Sequence, residues 1–586
     1  MSSLNRDQER AVATSSHCMV VAGPGSGKTR VIVAKAEHIL RTLPGSRVAC
    51  VTFTRDAVRE IRNRLGAQLR EARVSAPIVG TFHALAARQL EKAGRMGKLI
   101  KPREQEEFIR RALQTSGADI PFDKAIGAIE ACKASLTFGP EDDAVGALYR
   151  EYMHLMERNQ VVDFFDVMAD CVRLMRSGEV APVPATHLLV DEYQDADRVQ
   201  CEWTLEHLKR GAVGTVVGDD DQTVFAWRRA LGYSGMLEFA RTTNAAKVVL
   251  ATNYRSHEEI VVGADRLISQ NRDRIEKRFV AHKGRGGRIE IHRLPTRGEE
   301  ADTVVSQILS DATAVSDNPR YRLTVPPQRW AVLARTNRLL RWVSAGLKAA
   351  GVRYRMNTQD LWGDVPVVFL LGLLRSVQTG DRDAIDHILH WAGVSNATLT
   401  RLHAHYRDSF ASLLHGGAKE LPPQIEADEA KIIDTLMGHG SGWRRNIARG
   451  RIDMTIRLVE QWMQGFVKDD DEGERLEIAA DTLCKLQGPL LDRVNTVSAP
   501  ARGAGHESQV DQDDGVELLT MHSSKGLEFD KVWIIAAEAS VIPNPKSDAE
   551  EERRLMYVAM TRARQALHIS SCMANPPSSF LAEVDA

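Results

Sequence analysis

Two short stretches hold the residues best suited to chemistry. AGPGSGKTR (22–30) follows an apolar run, HCMVVA (17–22), and precedes RVIVAKAEHIL, whose apolar positions recur at helical spacing. This is the strand–GxxxxGK[ST]–helix arrangement, with Gly23, Gly27, Lys28 and Thr29 at its fixed positions. Gly23, Gly25 and Gly27 let backbone N–H groups turn inward around phosphate oxygens, where a Cβ would intrude, and the helix adds the positive end of its dipole. Lys28 can reach the β- and γ-phosphates, and the Thr29 hydroxyl can hold Mg²⁺. The second stretch, HLLVDEYQD (187–195), is an apolar strand ending in Asp191 and Glu192. Hydrolysis of a nucleoside triphosphate needs one carboxylate on Mg²⁺, directly or through water, and another to orient and deprotonate the attacking water. Asp191 suits the first role and Glu192 the second.

A third strand, VVGDDDQTVFAW (216–227), runs into three aspartates and then Gln222, Phe225 and Trp227. Gln222 is placed to sense a γ-phosphate while Trp227 stacks on a base, so one loop would couple the two events. Phe225 suits either stacking or core packing.

These residues need rigid elements behind them. Strand-like runs at 17–22, 47–53, 77–82, 187–191 and 214–218 alternate with helical stretches, the pattern of a parallel sheet covered on both faces. Between His83 and His187 the pattern is helical throughout and reads as an insertion. A second strand series runs through 287–294, 329–336, 352–356, 515–522, 531–537 and 566–572, broken by a mostly helical block at about 360–500 and a Gly/Ser-rich linker at 498–515. The expectation is an α/β protein with two parallel-sheet domains, each interrupted by a mostly α-helical insert.

The 586 residues are 43% hydrophobic and 26% charged with a formal net charge of −1, which excludes a uniformly basic nucleic-acid coat. Basic residues nonetheless cluster at 55–73, at 272–288 (Arg272, Arg274, Lys277, Arg278, Lys283, Arg285, Arg288) and at 444–451, as solvated faces or nucleic-acid contacts. Seven cysteines without a CxxC pair and a polar N-terminus point to a reduced, cytoplasmic protein with no membrane segment.

In the order of its motifs the chain resembles the superfamily 1 helicases of the UvrD/Rep/PcrA group, from residue 4 to about 570. LNRDQERAV (4–12) resembles their Q motif, which implies that Gln8 reads the adenine edge. The nucleotide loop is similar to their motif I, so that Gly23, Pro24, Gly25, Ser26, Gly27, Lys28, Thr29 and Arg30 surround the triphosphate. VTFTRDAVREIRNRL (51–65) and VGTFHALA (79–86) resemble motifs Ia and Ib, implying DNA contacts from Phe53, Thr81 and His83. DFFDVM (163–168) resembles the stretch closing the first insert. VDEYQD and GDDDQTVFAW resemble motifs II and III, with Phe225 and Trp227 on the base-stacking positions. LATNYRS (250–256) resembles motif IV, so Tyr254 stacks on adenine and Arg255 reaches the γ-phosphate. VELLTMHSSKGLEFDKVWI (516–534) resembles motif V, implying Thr520, His522 and Lys525 along DNA and Glu528 near the ribose. EEERRLMYVAMTRAR (550–564) resembles motif VI, with Arg562 the second γ-phosphate arginine.

The resemblance implies RecA-like motor parts at 1–84 and 185–256 around a helical insert at 85–184, and at 257–359 and 501–586 around an insert at 360–500. It implies an ATP- and Mg²⁺-dependent DNA helicase or translocase on single-stranded DNA and single/double-strand junctions, moving 3′→5′. The alternative is an ATP- and DNA-sensing regulatory subunit of a nuclease or phage-defence complex, with little unwinding of its own.

Overall fold

The computed structural model describes residues 4–69, 76–134, 143–224, 229–311, 313–314, 324–325, 329–357, 360–380, 384–406, 414, 421–498 and 515–585. The chain forms two compact units. The first is Met1–Gly287 with Lys546–Thr561 and Glu583–Ala586, and the second is Arg288–Pro545 with Arg562–Ala582.

The first unit is built on β1 (Cys18–Ala22), β2 (Val48–Thr52), β3 (Ile78–Thr81), β4 (His187–Val190), β5 (Val213–Gly218) and β6 (Ala246–Leu250). They lie in the order β3-β2-β4-β5-β1-β6, with every neighbouring pair parallel. β1 and β2 are buried along their whole length, which is why they read as unbroken apolar runs rather than as alternation. Met19, Val21, Ala49 and Val51 pack with Phe82, Trp203 and Phe239 on one face. Cys18, Val20, Val48 and Cys50 pack with Ile32, Val33, Ile39 and Ile61 on the other. β6 is not among the expected strands: it is an edge strand whose first two residues, Ala246 and Lys247, are exposed, so its apolar run is too short to stand out.

Helices Pro102–Ser116, Phe122–Ala134 and Ala144–Arg158 enclose a separate core around Ile109, Ile129, Leu148 and Tyr152. Lys133 from this insert lies buried between Asp163 and Asp166, at 2.7 and 2.6 Å. Tyr152 also donates to Asp163 at 2.8 Å. Asp163 caps helix Phe164–Ser177, so the DFFDVM stretch joins the insert through a buried ion cluster. A buried lysine of this kind is tolerated only with paired carboxylates.

The second unit carries β7 (Arg288–Leu294), β8 (Trp330–Ala334), β9 (Tyr354–Met356), β10 (Val516–Thr520), β11 (Phe529–Ile534) and β12 (Ala563–Cys572). Their order is β7-β12-β11-β8-β10-β9, again with every neighbouring pair parallel. Val304, Val332, Leu340, Leu518 and Trp533 form the core beside it. A second, purely helical core gathers Leu370, Leu374, Ile388, Leu436, Trp443, Val459 and Leu483. Residues 499–514 of the expected linker lie outside the described residues. The expected α/β class with two RecA-like parallel sheets is the observed one. Among the described residues no helix is long and apolar enough to cross a membrane.

Candidate active site

In an all-parallel sheet the C-terminal strand ends share one edge, and the loops that follow them meet there. In the first unit this edge receives the 23–27 loop after β1, Asp191 and Glu192 after β4, and Asp219–Gln222 after β5. Gly25 and Gly27 have φ of +64° and +85°, a conformation costly for any side chain. A Cβ on Gly25 would come within 2.5 Å of Arg255 Cβ, and one on Gly27 within 2.9 Å of Gln8 Nε2. The Phe279 ring lies against Gly23. Helix Lys28–Thr42 starts at Gly27 without a side-chain cap, which leaves first-turn N–H groups for an anion.

The Lys28 side chain is 11% exposed. Its Nζ is buried and makes no hydrogen bond among the described residues, while the Glu192 carboxylate stands 3.8 Å away. Thr29 Oγ1 donates to Asp191 Oδ2 at 3.1 Å, and the Glu192 N–H donates to Asp191 Oδ1 at 3.0 Å. Burial and the neighbouring Glu192 charge push Asp191 up to about 7, against the opposing pull of Lys28 and Thr29. A buried ammonium without a hydrogen bond among the described residues, a loop that a Cβ would fill, and a carboxyl lacking full counter-charge fit a magnesium-bound triphosphate.

Gln194, to which the sequence reading assigns no role, makes the contacts that join these loops. Gln194 is fully buried. Its Nε2 donates to Glu192 Oε2 at 2.6 Å, and its Oε1 accepts from the Asp219 N–H at 3.0 Å. One amide thus ties the strand-end carboxylates of β4 to the loop after β5. Gln222 turns back in that loop and donates to Asp219 Oδ2 at 2.5 Å.

The three aspartates are held by Lys277, which contacts Asp219 and Asp221 at 3.0 Å each and also bonds to Asp220. Arg274 grips Asp221 with two hydrogen bonds, at 3.1 and 2.9 Å. Burial pushes Asp219 up, but the charges of Lys277 and Lys28 and the Gln222 hydrogen bond outweigh it and hold Asp219 below its ordinary value. The basic cluster at 272–288 is therefore corrected in part. Arg274 and Lys277 are neither a solvated face nor a nucleic-acid contact, because buried carboxylates bind them. Arg274 lies 53 residues from Asp221 and Lys277 57 residues from Asp220, a separation that hid this from any local pattern.

Gln8 is buried against the loop, with Nε2 donating to the Ser26 carbonyl at 3.0 Å and Oε1 accepting from the Asn5 N–H at 3.1 Å. Each end of its amide makes one of the two bonds it can make, which leaves a second N–H and a second oxygen lone pair for an adenine edge. Ser26 Oγ bonds back to the Gly23 carbonyl at 2.8 Å, and the Pro24 carbonyl accepts from Asn253 Nδ2 at 2.7 Å. Asn253 Oδ1 in turn receives the Arg255 N–H at 2.9 Å, and the Tyr254 hydroxyl accepts from Asn5 Nδ2 at 2.8 Å. Arg255 Nη1 reaches the Thr561 carbonyl at 3.2 Å. Arg30 is half-buried in the first helical turn. Asn5, Asn253 and Phe279 thus join the residues read from the sequence.

Three of the DNA candidates, Phe53, Thr81 and His83, lie at the ends of β2 and β3. Thr52 and Thr81 are register partners at the ends of β2 and β3, so the next residues, Phe53 and Phe82, are neighbours. The Phe53 ring lies 5.2 Å from Phe82, and His83 stacks on Phe164 at 3.8 Å between centroids. Burial pushes His83 down to about 4, leaving it neutral at physiological pH. Thr81 Oγ1 caps its helix through the Ala84 N–H at 3.3 Å. Phe225 and Trp227 lie outside the described residues.

In the second unit Thr520 ends β10, with its hydroxyl 2.8 Å from Ser523 Oγ. His522 and Lys525 follow in the same half-buried turn. Glu528 pairs with Arg564. Arg562 is almost fully buried and donates to the Leu527 carbonyl at 3.1 Å.

A glycine cradle with a buried lysine, an Asp–Glu pair on the next strand but one, and a second parallel sheet in the same chain define a P-loop protein with two RecA-like sheets. Residues 4–243 match the UvrD/REP helicase N-terminal domain family, and residues 248–409 and 468–574 match the UvrD-like helicase C-terminal domain family. The chain is 28% identical to the ATP-dependent DNA helicase PcrA of Leuconostoc citreum, over 99% of its own length and 84% of that protein's. It is 30% identical to protein YjcD of Bacillus subtilis (strain 168), over 98% and 79% of the two lengths. With PcrA of Staphylococcus epidermidis the identity is 27% over 99% and 86%. The chain belongs to the UvrD/Rep/PcrA-like superfamily 1 helicases, and its enzyme class is that family's, ATP-dependent DNA helicase.

Proposed function

We propose that this helicase hydrolyses ATP to move 3′→5′ along single-stranded DNA and to separate the duplex it meets. What carries the hydrolytic half is the Lys28 ammonium, buried at a helix start with no hydrogen bond among the described residues and the Glu192 carboxylate 3.8 Å away. In this reading the 23–30 loop wraps the triphosphate, and Lys28 neutralises its β- and γ-oxygens. Bound Mg²⁺, held by Thr29 and by Asp191 directly or through water, would supply further neutralisation of the phosphate charge. Glu192 orients the attacking water and takes its proton, and Gln222 senses the γ-phosphate. Arg255 and Arg562 supply cations for the charge that develops on the transferred group. Gln8 and Tyr254 meet the adenine, and Glu528 the ribose.

Single-stranded DNA is met by Phe53, Thr81, His83, Phe225 and Trp227 from the first sheet, and by Thr520, His522 and Lys525 from the second. Aromatic platforms with few base-edge donors give grip without sequence preference, which stepping requires. The helical segments 85–184 and 360–500 are read as inserts in the two motors.

The test is strand displacement on duplexes carrying a 3′ or a 5′ single-stranded tail, with ATP turnover measured in parallel. Displacement of the 3′-tailed substrate alone is expected. Preference for the 5′ tail would overturn the direction, and ATP hydrolysis without displacement of either would overturn unwinding by this chain alone.

A further inference from the structure

We propose that Glu290, His292 and His568 form a binding site for one divalent transition-metal ion, zinc foremost, on the edge of the second sheet. None of the three belongs to the nucleotide or DNA residues above. β7 is an edge strand paired in parallel with β12, and Glu290 lies opposite His568 in the register. His292, two residues on, presents its side chain to the same face as Glu290.

One atom from each residue closes a small triangle. His292 Nε2 and His568 Nδ1 are 3.3 Å apart. Glu290 Oε2 is 3.2 Å from that His568 nitrogen and 3.8 Å from that His292 nitrogen. A tetrahedral zinc ion with bonds of about 2.0–2.1 Å sets its ligand atoms about 3.3 Å apart. The observed edges bracket that value without movement of the backbone.

The imidazoles are also fixed in orientation. His292 stacks on Trp533 at 4.9 Å, and His568 stacks on Trp533 at 4.7 Å and on Trp330 at 5.7 Å. Two imidazoles and one carboxylate are a donor set of borderline softness, suited to zinc and its first-row neighbours rather than to Mg²⁺. The Glu290 and His292 side chains are 40% and 28% exposed. An ion can therefore enter from solvent and keep water in its fourth position. Bound there, it would clip the first strand of the second unit to its neighbour.

The test uses the full chain, stripped with a chelator and re-equilibrated with Zn²⁺, followed by metal analysis and thermal unfolding. Glu290→Gln and His292→Gln are the variants of choice because both side chains are partly exposed, whereas His568 is buried under tryptophans. Wild type should retain one zinc per chain more than the double variant and gain thermal stability on zinc addition that the double variant does not. Each single variant should weaken binding at least about tenfold. Four-coordinate Co²⁺ absorption should appear in wild type and vanish in the double variant. Cys132 and Cys484, partly exposed thiols, are common to all variants and cancel in the comparison. Equal zinc retention in wild type and double variant, or none in either, would overturn the site and leave a hydrogen-bonded His–His–Glu group without a metal.

Discussion

Lys28 and Lys277 both bring a buried ammonium to the same sheet edge, yet their surroundings are opposite. The Lys277 side chain is 0% exposed and meets three aspartates. Lys28 Nζ has no hydrogen bond among the described residues. A buried ammonium is costly unless paired, so a saturated one is a structural part and an unsaturated one a place kept for a ligand. Two of the aspartates beside them differ as well. Asp219, beside Lys277 and within reach of the Lys28 charge, is held below its ordinary value, whereas burial and the Glu192 charge raise Asp191 to about 7, and burial also raises Asp220 despite its bond to Lys277.

The largest effect should come from breaking the saturated lysine. Lys277→Met removes the cation that three buried carboxylates share and leaves Arg274 paired with Asp221; it should cost about 3–5 kcal/mol of stability, read by urea unfolding of the ligand-free protein. A loss under about 1 kcal/mol would mean that water already screens the cluster. Lys28→Ala should do the reverse. Its stability should change by no more than about 1 kcal/mol. DNA-stimulated ATP turnover should fall by about 10²–10³-fold or more, with single-strand binding largely kept. Full turnover in this variant would remove Lys28 from the chemistry.

A smaller effect tests the amide between the two lysine environments. Gln194→Leu removes the donor to Glu192 and strands the buried Asp219 N–H, at a cost of about 1–3 kcal/mol. Turnover should also drop about tenfold, equivalent to about 1.4 kcal/mol in the barrier, because Glu192 loses its 2.6 Å tether. Stability loss with turnover unchanged would confine Gln194 to a packing role.

What the sequence made legible and what it hid follow from the range of the interactions. The 23–30 loop and the Asp191–Glu192 pair are local: a few consecutive residues encode turn, helix start and strand end, so their types and spacing suffice. The sheets were equally readable, because strands buried on both faces are continuous apolar runs, and only the half-exposed edge strand β6 escaped. Lys277, Arg274, Gln194 and Asn253 were hidden because each acquires its meaning from a partner that folding brings close. Lys277 looked like one member of a basic run until Asp219–Asp221 closed around it. Helix Ala549–Met560 likewise groups with the first unit although the strands flanking it in sequence build the second sheet, a choice that no periodicity expresses.

A pH-dependent effect separates the two aspartates most directly. In the ligand-free protein Asp191 holds its proton up to about 7, whereas an unfolded-chain Asp releases it near 3.9. Between those values the native state binds more protons than the unfolded state, so stability must fall as pH rises through the window. Asp219 acts in the opposite sense: its lowered value contributes stability above the unfolded value that is lost only as pH falls through the native one. Asp191→Asn removes the first effect and leaves the second. Urea unfolding at pH 5 and pH 8 should therefore show Asp191→Asn more stable than wild type, by a margin that is larger at the higher pH. Saturating Mg²⁺ and nucleotide should erase the wild-type deficit, since a cation at the carboxylate replaces the proton. If the two proteins keep the same stability difference at both pH values, Asp191 is ionised throughout, and the contrast between a saturated and an unsaturated lysine does not extend to the acids beside them.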